Sequence, residues 1–435
     1  MLIAELKDKE ILILGFGREG QDSFLFLRTK FPQKSIGIAD QKEFDQLAPE
    51  TQKLLNRDRK VVLYMGDSYL AQVNKYDVVI KSPGIPRGLV LPLVKKSQVL
   101  CSQTSLFFDN CPGTIVGITG TKGKSTTASL IYEVLKQGKI KAHLIGNIEQ
   151  PVFQFLEAAT KDDVYVYELS SFQLEGLQKS PHIAVFLNLY PEHLDHHGDF
   201  KTYVQAKASI AKFQTPEDYF IFNETDPEVS RIAKLTKAAK IPFTPTRENG
   251  ASFVAATEPV FLVAELFDIS KEKAQKAIAV FKPLAHRLEL VGEKRGITFY
   301  NDSLATIPEA TIAALDALGE NVATLIAGGF DRGVPMGKLA QRIAESNIKT
   351  LVLFPTTGEK LWKEIEKAQP NGELPKHFFA NTMADAVEIC YRETPKGKIC
   401  LLSPAASSFN MFRDYKERGE EFKKFVKLYA TKKLS

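Results

Sequence analysis

An α/β protein of three domains is the fold class this sequence predicts, and three observations carry the expectation. Short β-rich apolar runs, EILILGFG, SIGIAD, YDVVIKSPG, TIVGITG, DVYVYELS, IAVFLNLY and DYFIFN, alternate with longer polar stretches of helical spacing. Two glycine loops follow directly on two of these runs. The chain is 435 residues long, and at roughly 100 to 200 residues per domain it holds more than one. Alternating strands and helices give parallel sheets flanked by helices, with ligands expected beyond the carboxyl ends of the strands. Pattern breaks at Phe108 to Pro112 and at Pro283 to Gly292 divide the chain into 1–108, 109–286 and 287–435.

Composition narrows the class. The chain is 44% hydrophobic and 25% charged, enough apolar material for several cores, which excludes a disordered or fibrous protein. Lys and Arg number 57 against 52 Asp and Glu, a net charge of +5, and such a balance is no nucleic-acid signature. The N-terminal apolar run is short and ends in a glycine loop, so it reads as a strand and not as a signal peptide. No apolar stretch approaches the roughly 18 residues of a membrane helix, and a cytoplasmic protein is expected. Cys101, Cys111, Cys390 and Cys400 form no close metal-binding pair and read as buried reduced thiols.

In the first segment Gly15, Gly17 and Gly20 of GFGREG fit G-x-G-x-x-G after a strand, and Asp40 ends the next strand at the distance where such folds bind a ribose. Glycines let the backbone approach a pyrophosphate, and the helix N-terminus supplies free N–H groups. A nicotinamide or flavin dinucleotide, another diphosphate such as a nucleotide sugar, and a tight structural turn all satisfy this pattern.

In the second segment the strand TIVGI runs into Thr119-Gly120-Thr121-Lys122-Gly123-Lys124-Ser125-Thr126 and then a helical pattern. Backbone N–H groups of such a loop wrap a triphosphate, Lys124 reaches its terminal phosphates, and the Ser125 hydroxyl suits magnesium. The loop is a variant, because Ile118 occupies the place of the usual first glycine. Glu168 closes the strand DVYVYE, so its carboxylate emerges beside this loop as a magnesium ligand should. His193, His196 and His197 cluster after IAVFLNLY. Zinc is one reading of them, and solvated loop histidines are the commoner one.

These motifs, with Gly146-Asn147-Ile148, Glu168 to Leu174, Glu192-His193-Leu194-Asp195, Pro283 to Arg287, Asn301 to Thr306, Leu402 to Ser408 and Ser82-Pro83-Gly84-Ile85, resemble the Mur ligase family over nearly the whole chain. The similarity is greatest to members that add glutamate to UDP-N-acetylmuramoyl-L-alanine in peptidoglycan synthesis. The glycine fingerprint resembles the alanine- and glutamate-adding members, whereas folylpolyglutamate synthases lack it. The resemblance implies a Rossmann-like UDP-substrate domain, a central P-loop ATPase domain and a Rossmann-like C-terminal domain, with ATP between the second and third. It also implies a monomeric, ATP-dependent acid–amino-acid ligase with two magnesium ions and an acyl-phosphate intermediate.

The resemblance carries roles residue by residue. ATP falls to Gly120, Thr121, Lys122, Gly123, Lys124, Ser125 and Thr126, with Asn147, Arg287 and Asp302. Magnesium falls to Ser125, Glu168, His193 and Lys207, the last matching a family lysine that is carbamylated. The UDP substrate falls to Gly15, Gly17, Arg18, Asp40, Ser82 and Gly84, and the candidates for the glutamate carboxylates are Thr306, Ser408, the neighbourhood of Tyr415, and Arg332, which stands in place of a family lysine and is suited to bind a carboxylate bidentately.

Two departures stand out. Glutamate-adding members usually carry lysine where this chain has Leu304 and asparagine where it has Ile307. The lysine helps hold D-glutamate, so its loss resembles a subgroup that accepts L-glutamate. The family's H-N-x-x-N element is not recognisable between Arg247 and Val263. Beyond these, another Mur ligase, a non-catalytic nucleotide-binding subunit and a nicotinamide oxidoreductase are the rival readings.

Overall fold

The structure is a computed structural model and describes residues 1–146, 152–245, 257–281, 285–331, 333–369 and 372–432. It divides into two compact units, one of the described residues up to 281 and one of those from 285 onward. The first unit holds two sheets and the second holds one.

The N-terminal sheet comprises β1 (Ile11–Leu14), β2 (Ile36–Asp40), β3 (Val61–Met65), β4 (Val78–Lys81) and β5 (Val99–Cys101), in the order β3-β2-β1-β4-β5. All pairings are parallel. Strands buried on both faces read as unbroken apolar runs, and every residue of β1 and β4 is buried. Strand order reverses between β1 and β4, which opens a crevice at their carboxyl ends.

The central sheet is parallel throughout. It comprises β6 (Thr114–Thr119), β7 (Ala142–Gly146), β8 (Val164–Glu168), β9 (Ile183–Phe186), β10 (Tyr219–Asn223) and β11 (Ala239–Phe243), ordered β11-β10-β9-β6-β8-β7. The FFDNCPG stretch, which breaks the sequence pattern, is no exposed linker. Phe107 and Phe108 lie in the helix Gln103–Asn110, whose first turn is capped by the Ser102 hydroxyl accepting from Ser105 N. Both rings are buried in one core that joins Ile13, Phe24 and Leu106 of the first sheet's layer to Ile115, Tyr165 and Phe186 of the second. Phe107 meets Tyr165 and Tyr167 edge-on at 5.3 and 5.8 Å.

The third sheet comprises β12 (Glu289–Lys294), β13 (Ile297–Asn301), β14 (Val322–Gly328), β15 (Thr350–Phe354), β16 (Lys376–Phe379) and β17 (Ile399–Leu402), ordered β12-β13-β17-β14-β15-β16. β12 and β13 are antiparallel, joined through Arg295 and Gly296, both at positive φ, as a tight two-residue hairpin requires. The helix Tyr415–Thr431 starts at Asp414, whose carboxylate accepts from Glu417 N, and buries Phe422, Val426 and Tyr429. The lysine-rich tail is thus a solvated face backed by an apolar one. Cys390 and Cys400 are buried free thiols as expected, but Cys101 and Cys111 are partly exposed, because they end an edge strand and a helix. Among the described residues no helix is long and apolar enough to cross a membrane.

Candidate active site

The GFGREG loop occupies the β1/β4 crevice. Gly15 has φ +88° and a side chain there would collide with Ser82, while any Cβ on Gly20 would strike the Gly15 carbonyl oxygen. The loop is pinned from two strands: Ser82 Oγ donates to Gly15 O (2.7 Å), and Asp40 Oδ2 accepts from Phe16 N (2.6 Å). Gly17 and Gly84 face open space, which a ligand backbone approach requires. Arg18 donates through Nη2 to Gly146 O of the central sheet at 3.1 Å, so it bridges the two sheets in this structure. Lys81, a residue sequence reasoning passed over, ends β4 fully inside. Burial pushes its ammonium down to about 8. Its Nζ lies 3.8 Å from Glu175 of the central domain. A lysine closing an apolar strand was the available signal.

The phosphate loop follows β6. Gly123 is left-handed at φ +84° and opens the helix Lys124–Gln137, so the helix N-terminus and the loop amides form an anion cradle. The loop is held to the chain after β9: Thr121 N donates to Asn188 O, Lys122 N to Asn188 Oδ1, and Tyr190 N to Thr121 Oγ1. Lys122 Nζ reaches Glu192 Oε1 at 2.7 Å. Burial opposes ionisation of Glu192, yet the Lys122 cation and its hydrogen bond outweigh burial and hold the carboxyl below its usual value. Lys124 Nζ donates to Gly120 O and Thr121 O, both at 2.9 Å. Ser125 and Thr126 are buried at the helix start.

Lys207, on the helix Phe200–Lys212, is 1% exposed. Its Nζ donates to Gly120 O (2.8 Å) and Thr119 Oγ1 (3.2 Å). Burial, and then the neighbouring Lys124 cation, hold it well below the usual lysine value. The β6–β8 register sets Glu168 beside Ile118, one residue before the loop, and its side chain is buried. His193 sits at φ +56°, a conformation rare for non-glycine residues and concentrated at functional sites. Its Nε2 is 3.6 Å from Glu192 Oε2. A carboxylate, a hydroxyl, an imidazole and a lysine suited to carbamylation are mostly hard oxygen donors, which fit magnesium.

In the second unit His286, Asp302, Ser303 and Tyr415 converge at the carboxyl ends of β13 and β17. Asn301 Nδ2 donates to His286 Nδ1 at 3.0 Å, and a Cβ on Gly419 would overlap that ring. Asp302 accepts from Ser403 Oγ (2.8 Å) and Leu288 N (3.0 Å). Burial pushes its carboxyl up to about 7, although those hydrogen bonds and the Arg287 cation lower it. Leu304 N donates to His286 O. Ser408 is buried, Thr306 and Tyr415 half-buried. Beneath them lies Arg418, fully buried: Nε donates to Ser303 Oγ, Nη2 to Ser303 O and Nη1 to Ala406 O. Its only mark in the sequence is its spacing, four residues before Phe422 on the helix's buried face. Asn147 and Arg332 lie outside the described residues.

Residues 118–293 match the Mur ligase middle domain, and residues 286–406 match the Mur ligase glutamate ligase domain. The chain is 32% identical to the UDP-N-acetylmuramoylalanine–D-glutamate ligase of Acetivibrio thermocellus and 34% identical to that of Streptococcus pyogenes serotype M5, covering 97% of each chain in both cases. Among solved structures it resembles MurF from Acinetobacter baumannii (TM-score 0.58, 13% identity, 98% of this chain and 93% of that one). It also resembles MurF from Thermotoga maritima in complex with ADP (0.56, 14%, 98% of both). The glycine loop at the β1/β4 crevice, the phosphate loop with its two lysines and the full-length likeness together establish that this chain belongs to the Mur ligase family.

Proposed function

We propose that the chain is an ATP-dependent ligase that joins glutamate to UDP-N-acetylmuramoyl-L-alanine, a cytoplasmic step in making peptidoglycan precursor, and acts as a monomer. The observation that carries this reading is full-length similarity to D-glutamate ligases in a chain whose phosphate loop gathers Lys124 and Lys207 on one carbonyl oxygen. The Thermotoga neighbour was solved with ADP, which supports ATP as the energy source here.

The first step is attack of the alanyl carboxylate oxygen on the γ-phosphorus, which breaks the bond to ADP and leaves an acyl phosphate. The glutamate amine, having shed its proton, then attacks the acyl carbon, and the tetrahedral intermediate expels phosphate to give the amide. Splitting one hard step into two lowers each barrier. The amides of residues 123 to 126, at the start of the helix, hold the phosphates and Lys124 follows the charge that develops on the transferred group. Ser125, Glu168, His193 and carbamylated Lys207 would hold magnesium, which supplies charge neutralisation to the phosphoryl oxygens. Gly15, Gly17, Ser82 and Gly84 hold the diphosphate of the UDP-sugar, with Asp40 fixing their loop and Arg18 tying it to the central sheet. Arg287 and Asp302 serve ATP, and Thr306, Ser408 and Tyr415, with Arg332 and Asn147, complete the glutamate and nucleotide contacts.

A second reading, L-glutamate as the incoming amino acid, is favoured by Leu304 and Ile307 at the places of the lysine and asparagine. The deciding experiment is phosphate release from ATP and magnesium with UDP-N-acetylmuramoyl-L-alanine, run in parallel with D- and L-glutamate, the products identified by mass. Turnover with D-glutamate alone supports the first reading, turnover with L-glutamate alone the second, and silence with both overturns the proposal.

A further inference from the structure

Glu175, His196 and His197 form a cluster that the ligase reading leaves unused. Glu175 follows the short helix Ser171–Leu174, and the two histidines close the turn Leu194–His197. The carboxylate and one ring nitrogen of each imidazole all lie within 4.8 Å of one another. His196 Nε2 stands 3.8 Å from Glu175 Oε2.

The imidazole of His197 carries a second, independent sign. Its Nε2 is 3.1 Å from Ser171 Oγ, while Nδ1 is buried and has no hydrogen-bond partner. The residue is only 7% exposed, and a buried ring nitrogen left unmet is destabilising. Metal-bound histidines show this division of labour: one nitrogen takes the ion, and the other N–H is held by a neighbouring acceptor that fixes ring and tautomer. Ser171 is placed to be that neighbour. The Phe172 ring packs against both histidines, at 4.4 Å from His196 and stacked at 5.5 Å on His197, which limits their rotation.

We propose that Glu175, His196 and His197 bind one borderline divalent cation, zinc in preference to magnesium, with a fourth position open to water or a ligand. Two imidazoles and one carboxylate are a zinc donor set, whereas magnesium keeps to oxygen. The site is distinct from the magnesium ligands Glu168 and His193 and shares no residue with them. Glu175 also faces Lys81 Nζ at 3.8 Å and accepts from Arg87 N at 3.3 Å. The cation would therefore lie where the N-terminal and central sheets meet, beside the Ser82-Pro83-Gly84 loop.

The test is a zinc titration of the full chain against a chromophoric chelator, in saturating magnesium so that oxygen-donor sites are filled. One zinc per chain is expected, weakened roughly 10-fold or more by His196→Gln and by Glu175→Gln, and retained by His193→Gln. Circular dichroism and melting in chelator confirm that each variant folds. Cobalt gives a readout that needs no substitution: strong visible d–d bands mark a four- or five-coordinate site. Absence of zinc binding, affinity unchanged in both His196→Gln and Glu175→Gln, loss with His193→Gln instead, or only the faint cobalt bands of six-coordinate oxygen ligation each overturns the site. Ligase turnover, assayed separately with magnesium and chelated zinc, tests the proposed ligase activity without bearing on the zinc site.

Discussion

Lys207 Nζ donates to the carbonyl oxygen of Gly120 over 2.8 Å, the same oxygen that Lys124 Nζ reaches at 2.9 Å. Two ammonium groups on one backbone oxygen, one of them fully buried, make a centre that favours an anion and favours loss of a proton from Lys207. A neutral lysine is the form that adds carbon dioxide to become a carbamate.

Because the folded-state value of Lys207 lies below 10.5, the unfolded chain binds the extra proton in the window between the two. Stability contributed by this group therefore rises with pH across that window. Lys207→Met is expected to flatten that part of the melting-temperature profile and to cut phosphate release by roughly 100-fold or more. Activity of the unaltered chain is expected to fall in carbon-dioxide-depleted buffer and to return with bicarbonate. A bicarbonate-independent rate would remove the carbamate from the mechanism.

Asp302 has the opposite sign. Its carboxyl is raised from 3.8 to about 7, so the folded state holds a proton that the unfolded state has lost in between. This contribution is complete below 3.8 and disappears as pH rises through about 7. Asp302→Asn keeps the shape and lets Ser403 Oγ accept in place of donating. It is expected to gain on the order of 1–3 kcal/mol relative to the parent on going from acid to weakly alkaline pH, read from denaturant unfolding at the two pH values.

Arg418 holds the carbonyls of Ser303 and Ala406 and the Ser303 hydroxyl, and so fixes the loops that carry Thr306 and Ser408. Lysine offers a point charge where a planar fork is used. Arg418→Lys is expected to lose roughly 1–3 kcal/mol of stability and to lower kcat/KM for glutamate by roughly 10-fold or more through misplaced loops. Equal losses for glutamate and the UDP substrate would instead indicate general damage.

Leu304 is half-buried with its amide pinned to His286 O, so a longer side chain there need not move the backbone. The double substitution Leu304→Lys with Ile307→Asn is expected to raise turnover with D-glutamate relative to L-glutamate, measured with the paired assay. An unchanged ratio would mean that stereochemistry is read elsewhere.

Much of this was legible in the residues. Strands buried on both faces appear as unbroken apolar runs, and a loop that must approach phosphate needs glycine, so both glycine loops announced themselves with their strands. Pairing between distant residues did not. Lys122 and Glu192 are joined only by the fold, and the hairpin after Arg287 adds an antiparallel edge that alternation alone does not foretell. Arg418 lies four residues before Phe422 on the stripe that Phe422, Val426 and Tyr429 continue, but a charged residue at the end of an apolar stripe reads as its solvated edge and not as a buried group. Nor does the pattern break at Phe108 to Pro112 reveal that the two adjacent phenylalanine rings fill the seam between two sheets.

That seam makes the first two segments a single thermodynamic object. A ligand that binds only the native state at about 100 times its Kd adds roughly 2.7 kcal/mol to the structure it holds together. With Phe107 and Phe108 packed into both layers, a ligand held at Gly15, the UDP-sugar of the proposed function, is expected to protect the phosphate loop from unfolding as much as its own loop. Occupancy at one end of the unit is thereby felt as rigidity at the other, with no change of shape required.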